Sequence, residues 1–234
     1  MSVGQRTVIV TGAAGNLGGA VARAFAELGA NLVLVDLKRE GLEKAFGSEN
    51  DQRLFVPANL LERAGATGVA QAALARFRRI DVLCNITGGF RMGETVHETS
   101  DENWNFLFDI NTRTLLNAVR GVVPHMVAAG GGKIVNVGAF SAQKGVAQMG
   151  AYTASKGTVI RMTEAMAAEL RDKNINVNCV LPTIIDTPEN RAAMPKANPA
   201  KWVAPADLAN VIVFLASDAA RAVHGAAVPV TALS

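Results

Sequence analysis

Tyr152 and Lys156 stand four residues apart in "GAYTASK", so on a helix their side chains share one face. A phenol near its ordinary pKa of ~10 is a poor base at neutral pH. An ammonium beside it stabilises the phenolate, lowers that pKa and equips Tyr152 to exchange a proton with a reacting oxygen. Alone, this spacing is common surface decoration. Its meaning comes from residues 7–36, "TVIVTGAAGNLGGAVARAFAELGANLVLVD", which run apolar strand, glycine turn, helix, apolar strand and acid. Gly12, Gly15 and Gly18 permit a tight turn, close approach of a pyrophosphate and close packing of helix on sheet. The helix start at Asn16 and Leu17 offers free N–H groups and a positive dipole end to phosphates. Asp36, followed by Leu37, is placed to accept from both ribose hydroxyls and to repel a 2′-phosphate. The reading is NAD(H) as preferred dinucleotide, with NADP(H) possible because Lys38 and Arg39 come next.

The elements that must position these residues alternate along the chain. Segments 7–10, 31–36, 53–57, 81–87, 133–138, 175–182 and 226–230 are short, apolar and often β-branched, as strands buried on both faces are. Helical patterns fall at 17–29, about 40–46, about 62–78, 100–129, 151–171 and 206–216. Such alternation predicts an α/β fold: one doubly wound, Rossmann-type parallel sheet of about seven strands, helices on both faces, in a single domain over 1–234. "TSDE" at 99–102 reads as a capping box with Thr99 as cap, and Pro205 as a first-turn proline. The Gly- and Pro-rich stretches 87–93 and 182–205 follow predicted strands, on the edge where such sheets bind ligands.

Composition narrows the partners. The 234 residues are 50% hydrophobic with a formal net charge of +3 and scattered basic residues, which gives no basis for a nucleic-acid or membrane partner. Apolar runs fall short of the ~18 residues of a membrane span. Cys84 and Cys179 lie in strand-like runs and read as buried free thiols of a reducing, cytoplasmic setting. His97, His125 and His224 are isolated, so no metal site is expected.

With these motifs in place, the chain resembles the short-chain dehydrogenase/reductase family over essentially its full length. "TGAAGNLG" matches the family's Thr-Gly-x-x-x-Gly-x-Gly at Thr11, Gly12 and Gly18, with Asn16 at the middle glycine and Gly15 before it. The resemblance places Asn59 and Leu60 of "VPANL" beside the adenine, where the family has Asp. It matches Asn85 and Gly88 in "LCNITGG" to a cofactor-contacting strand end. Asn111 in "FDINTRT" corresponds to a family asparagine that holds a water in a proton relay with the lysine. Tyr152 and Lys156 correspond to the catalytic pair, with Lys156 reaching the nicotinamide ribose. "LPTIIDT" supplies Pro182, Ile185 and Thr187, the last toward the nicotinamide carboxamide. The resemblance further implies a homodimer or homotetramer built on the two long helices.

One family feature is missing. The serine that the family carries 13 residues before the tyrosine is Ala139. A methyl group gives no hydrogen bond to a developing alkoxide, and losing one such donor costs ~2.7–4 kcal/mol. Ser141 would share a face with Ala139 on a continuing strand, roughly 6–7 Å away. The dihydropteridine reductases, a divergent branch, also have Gly-Ala there, and "LPTIIDTPENRAAMP" and "TGGF" are similar to their segments.

Three readings follow: an NAD(H)-dependent oxidoreductase acting on a small carbonyl or alcohol, a quinonoid dihydropteridine reductase-like enzyme, or a catalytically weak NAD-sensing or interaction protein. Phe90, Arg91, Met92, Phe140, Gln143, Gln148, Met149, Asn190 and Met194 flank the predicted ligand edge as pocket candidates, with Arg91 or Arg191 available to an anionic group.

Overall fold

The computed structural model describes residues 5–234. In chain order it contains β1 (Thr7–Thr11), α1 (Asn16–Glu27), β2 (Asn31–Asp36), α2 (Arg39–Phe46), β3 (Arg53–Pro57), α3 (Arg63–Phe77) and β4 (Val82–Asn85). Then follow α4 (Asp101–Phe108), a π-turn (Asp109–Arg113), α5 (Thr114–Ala128), β5 (Gly132–Val137), α6 (Gly150–Leu170), β6 (Ile175–Pro182), α7 (Pro188–Ala193), α8 (Pro205–Leu215) and β7 (Ala227–Val230).

All seven strands pair in parallel in the order β3-β2-β1-β4-β5-β6-β7. This is the expected doubly wound sheet. Strand residues alternate between two cores, because successive side chains leave opposite faces. Val8, Val10, Leu32 and Leu34 pack with Val21 and Phe25 of α1 and Leu208 and Ile212 of α8. Ile9, Val33 and Val35 pack with Val69 of α3, Leu115 and Val122 of α5 and Val159 of α6. Strand order reverses between β1 and β4, so the glycine turn after β1 and the Thr87–Gly89 segment after β4 border one crevice at the carboxyl edge. The Thr11 hydroxyl joins them, accepting from the N–H groups of Ile86 and Thr87 at 3.0 and 3.1 Å.

Three local readings are corrected. The helix expected over 100–129 is broken by the π-turn at Asp109–Arg113. Ser100, not Thr99, caps α4, its hydroxyl accepting from Asn103 N–H, while Thr99 Oγ donates to the Thr95 carbonyl. The reciprocal carboxylate is Glu94 from the preceding loop, which takes the Ser100 N–H, whereas Glu102 pairs with Arg91. The irregular stretch after β6 contains α7, started by a Thr187 cap and Pro188 in the first turn. Pro205 opens α8 as read. Cys84 and Cys179 are free and buried, and burial pushes both thiols up, Cys179 to about 11.

Candidate active site

The glycine turn is shaped by exclusion. Gly12 sits at φ +64°, and a Cβ on it would lie 3.1 Å from the Thr87 backbone. A Cβ on Gly18 would lie 2.1 Å from the Gly12 carbonyl oxygen, so only glycine lets α1 start this close to β1. Gly15 stands just ahead of α1, with no side-chain cap hydrogen bond and no acid in the first turn. The first-turn N–H groups of Asn16, Leu17 and Gly18 precede the first helical bonds and remain to bind an anion. This cradle fits a dinucleotide pyrophosphate. Asp36 sits beside it, its carboxylate accepting from the N–H groups of Ala14 at 3.0 Å and Leu37 at 2.8 Å. Leu37 itself is exposed, and Leu17 packs against the α1–α8 core. Arg39 is spent on Glu43 and Glu49, at 2.9 and 2.7 Å, and lies over the Phe55 ring. That hydrogen-bonded guanidinium holds the Glu49 carboxyl below the usual range.

Asn59 uses its amide locally: its oxygen accepts from Leu61 N–H and its nitrogen donates to Glu62. Leu60 is a core residue whose carbonyl accepts from Asn117. Asn85 turns inward, donating to Asn136 at 2.8 Å, which donates to Thr163 at 2.9 Å. The amide of Asn85 therefore braces β4 against β5 and α6 rather than facing the crevice.

The catalytic candidates converge. α6 carries Tyr152 and Lys156 on one face. Lys156 Nζ donates to the Val137 carbonyl at 2.9 Å, at the end of β5. A Cβ on Gly88 would sit 3.0 Å from both Lys156 Nζ and Asn111 Oδ1, so that glycine leaves open a space that both polar groups border. Asn111 lies in the π-turn, 2% exposed, and grips Gly89 twice: its oxygen accepts from Gly89 N–H at 2.9 Å and its nitrogen donates to the Gly89 carbonyl at 3.0 Å. The nitrogen also donates to Ser155 Oγ at 3.1 Å. The side chain expected to support a water relay is thus committed to holding the loop after β4. A π-turn at such a residue is a common mark of a functional site.

Phe90 follows Gly89 and meets the Tyr152 ring edge-on, centroids 4.8 Å apart at 86°. The acid–base picture differs from the expectation. Burial pushes Tyr152 up to about 12. Burial also lowers Lys156 to about 8, against a small opposing effect of Cys179. Both shifts run opposite to those of an ion pair, and desolvation is the leading cause of each. Tyr152 therefore stays a protonated phenol at neutral pH, ready to donate.

Ala139 is buried and extended, at φ −153°. The strand ends at Val137 and a 3₁₀ turn follows at Phe140–Gln143, so Ser141 is not on a continuing strand and the same-face placement fails. Pro182 ends β6, and Ile185 bridges to Val203 while its carbonyl accepts from Asn190 at 2.8 Å. Thr187 Oγ accepts from Asn190 N–H as the cap of α7. Sequence reasoning missed Glu189, whose carboxylate accepts from Asn16 Nδ2 at 2.8 Å. That bond links α7 to the start of α1. Thr-Pro-Glu is a helix-start signal that would have located α7, but nothing local names its partner.

The pocket candidates divide. Arg91 and Met92 line a separate concavity of about 290 Å³ with Glu94, Ser100, Glu102 and Asn103. Gln143 lines another with Ile160, Arg161 and Leu181. Gln148, at φ +60°, accepts Gly93 N–H at its carbonyl, 2.8 Å, a left-handed conformation costing roughly 1–2 kcal/mol.

Comparison with known proteins agrees with this geometry. A model of the short chain dehydrogenase family matches residues 6–198. The chain is 32% identical over 233 residues to D-threitol dehydrogenase of Mycolicibacterium smegmatis, covering 94% of this chain and 89% of that one. Among solved structures, 3-ketoacyl-(acyl-carrier-protein) reductase of Brucella melitensis complexed with NADH superposes with a TM-score of 0.87 at 28% identity, covering 98% of both chains. Carveol dehydrogenase of Mycobacterium avium in complex with NAD gives 0.90 at 25% identity, covering 99% of this chain and 98% of that one. A parallel sheet with its glycine cradle at the switch point, a Tyr-x-x-x-Lys helix beside it and these matches along nearly the whole length make this chain a member of the short-chain dehydrogenase/reductase family of oxidoreductases.

Proposed function

We propose that the protein is an NAD(H)-dependent oxidoreductase that interconverts a small organic carbonyl and its alcohol. The observation that carries the reading is the convergence of Lys156, Gly88 and Asn111, with Tyr152 one turn before Lys156 on α6 and against Phe90. A bound nicotinamide supplies or accepts the hydride. Gly12, Gly15, Asn16, Leu17 and Gly18 hold the pyrophosphate, Asp36 the adenosine ribose, and Pro182, Ile185 and Thr187 border the nicotinamide end. In reduction the substrate carbon gains the hydride and its oxygen gains the Tyr152 proton. Lys156 supplies positive charge behind that oxygen, and Asn111 acts through Gly89 to keep the loop in place. Preference for NAD(H) over NADP(H) is supported by Asp36 and by the internal pairing of Arg39. The complexes of two relatives with NADH and NAD agree with it.

The test is Tyr152→Phe: kcat with NADH and a turned-over ketone falls by about 10²–10⁴ while NADH affinity holds. Unchanged turnover would remove Tyr152 as the proton donor, whereas NADH binding with no turnover of any ketone by the wild type would favour a nucleotide-sensing role.

Ala139 favours a second reading, reduction of a quinonoid dihydropterin. Hydride delivered to a conjugated ring spreads charge, so one hydroxyl donor matters less. NADH oxidation by quinonoid dihydropterin, run beside a ketone panel, separates the two. A homodimer or homotetramer is part of the proposal, supported by Trp104, 45% exposed and stacked on Phe108 at 4.5 Å. Light scattering tests it. Among the described residues no helix is long and apolar enough to cross a membrane, and the two buried free thiols fit a cytoplasmic setting.

A further inference from the structure

Phe90 is a large aromatic residue left 53% exposed directly on the phenol that donates the proton. A half-bare ring at this place is contact surface awaiting an apolar group. Its position is prepared in advance. Asn111 clamps both peptide groups of Gly89 immediately before it. Further along the same segment, Gly93 N–H is held by the Gln148 carbonyl. Val96 then packs so near Gly150 that a Cβ there would come within 2.8 Å of its side chain. A wall held by hydrogen bonds at Gly89 and Gly93 loses little freedom when a ligand meets it.

The two arginines of the flanking loops are already used. Arg91 pairs with Glu102 at 3.1 Å and lies 4.0 Å over the Phe106 ring. Arg191 makes two parallel bonds to Asp186, at 2.6 and 2.7 Å, a geometry in which a guanidinium is satisfied. Neither of the arginines expected to meet an anionic substrate is free to do so. A carboxylate or phosphate entering here would give up its water and find both of these guanidiniums already paired. Ala139 adds a buried methyl where a hydroxyl would have added polarity.

From these observations we infer that the site selects an uncharged substrate bearing an apolar ring next to its reacting carbonyl, and that Phe90 makes the selection. The inference deepens the carbonyl/alcohol reading above and rests on it. Phe90 is a specificity residue: it touches the ring and takes no proton.

The experiment compares cyclohexanone, 4-oxocyclohexanecarboxylate and dihydroxyacetone as substrates with NADH. In parallel, calorimetry measures binding of cyclohexanol and cis-4-hydroxycyclohexanecarboxylate to the protein–NADH complex, a readout independent of turnover. Cyclohexanone is expected to exceed its carboxylate in kcat/KM by about 100-fold, through the unpaired charge of the latter. Phe90→Ala should lower kcat/KM for cyclohexanone and the affinity for cyclohexanol by about 10- to 100-fold, the contact of one apolar side chain. The same variant should change dihydroxyacetone by less than about threefold and leave NADH affinity intact. Phe90→Leu should recover part of the loss.

Equal use of the ketone and its carboxylate, or a Phe90→Ala loss shared by all three substrates, would overturn the selection. Absent ketone turnover with Phe90-dependent cyclohexanol binding would overturn the carbonyl reading and support the selection. NADH binding to the wild type checks the cofactor assignment separately.

Discussion

At the β1–β2 end of the crevice, one added carbon on Gly18 would collide with backbone at 2.1 Å. At the β4–β6 end, the residues proposed to meet a substrate, Ala139 and Phe90, are ordinary side chains on backbone that many residues adopt. The first end recognises its ligand with main-chain N–H groups and close approach. Substitution there is forbidden by sterics. The second holds its working residues through bonds between distant segments: Asn111 to Gly89, Lys156 to Val137, Asn16 to Glu189. Its chemistry is proposed to be tuned by side-chain exchange, with Ala139 standing where the family's serine is expected. A constant cofactor end and an adjustable substrate end are thus a matter of which atoms do the recognising.

The sharpest way to break this contrast is Gly18→Ala. The added methyl must displace the Gly12 carbonyl or the start of α1, costing about 1–3 kcal/mol of stability. NADH affinity should fall by about 100-fold or more, measured by fluorescence titration, since 1.4 kcal/mol is tenfold. An alanine variant binding NADH normally would show that the cradle is as tolerant as the other end.

Ala139→Ser probes the adjustable end. Restoring a donor of the oxyanion type is worth up to about 10²–10³ in kcat. The gain should appear with isolated ketones, be smaller with conjugated acceptors, and leave NADH affinity nearly unchanged. A large loss of NADH binding would show that Ala139 lies against the cofactor instead.

A milder effect comes from pH. Burial lowers Lys156 to about 8, so its ammonium is present below that pH and lost above it. Tyr152, pushed up to about 12, keeps its proton through the same range. For reduction, log kcat/KM should be flat below pH 8 and approach a slope of −1 above it. A decline that begins below pH 7 would assign the titration to another group.

The smallest expected change is at the link between the two ends. Glu189→Ala removes the carboxylate that ties α7 to Asn16, an exposed contact worth about 1 kcal/mol or less. NADH release, followed by stopped-flow fluorescence, should quicken by about two- to fivefold. An unchanged rate would show that the two ends move independently.

How much of this was legible in the chain follows the same division. All seven strands appear as β-branched runs within a few residues of their observed bounds, because burial on both faces leaves a continuous apolar pattern. The cradle was legible because glycines at fixed spacing after a strand have a steric meaning. The π-turn was not. Asn111 within it reaches Gly89 across 22 residues, a pairing that only folding brings together, and the apolar pattern of the helix continues through it. The shift of the α4 cap from Thr99 to Ser100 has a similar origin, since its carboxylate partner, Glu94, lies outside the helix. The neutralised arginines and the Asn16–Glu189 bond are pairings that only folding brings together.

Tyr152 carries one more consequence. It is the chain's single tyrosine, so the molecule has one phenol and that phenol is the proposed acid. Ultraviolet absorbance followed in alkali therefore reads the ionisation of this one group with no background from others. A ligand that settles beside it, or a ring that leaves it, registers as a displaced titration curve: the enzyme comes with its own optical electrode.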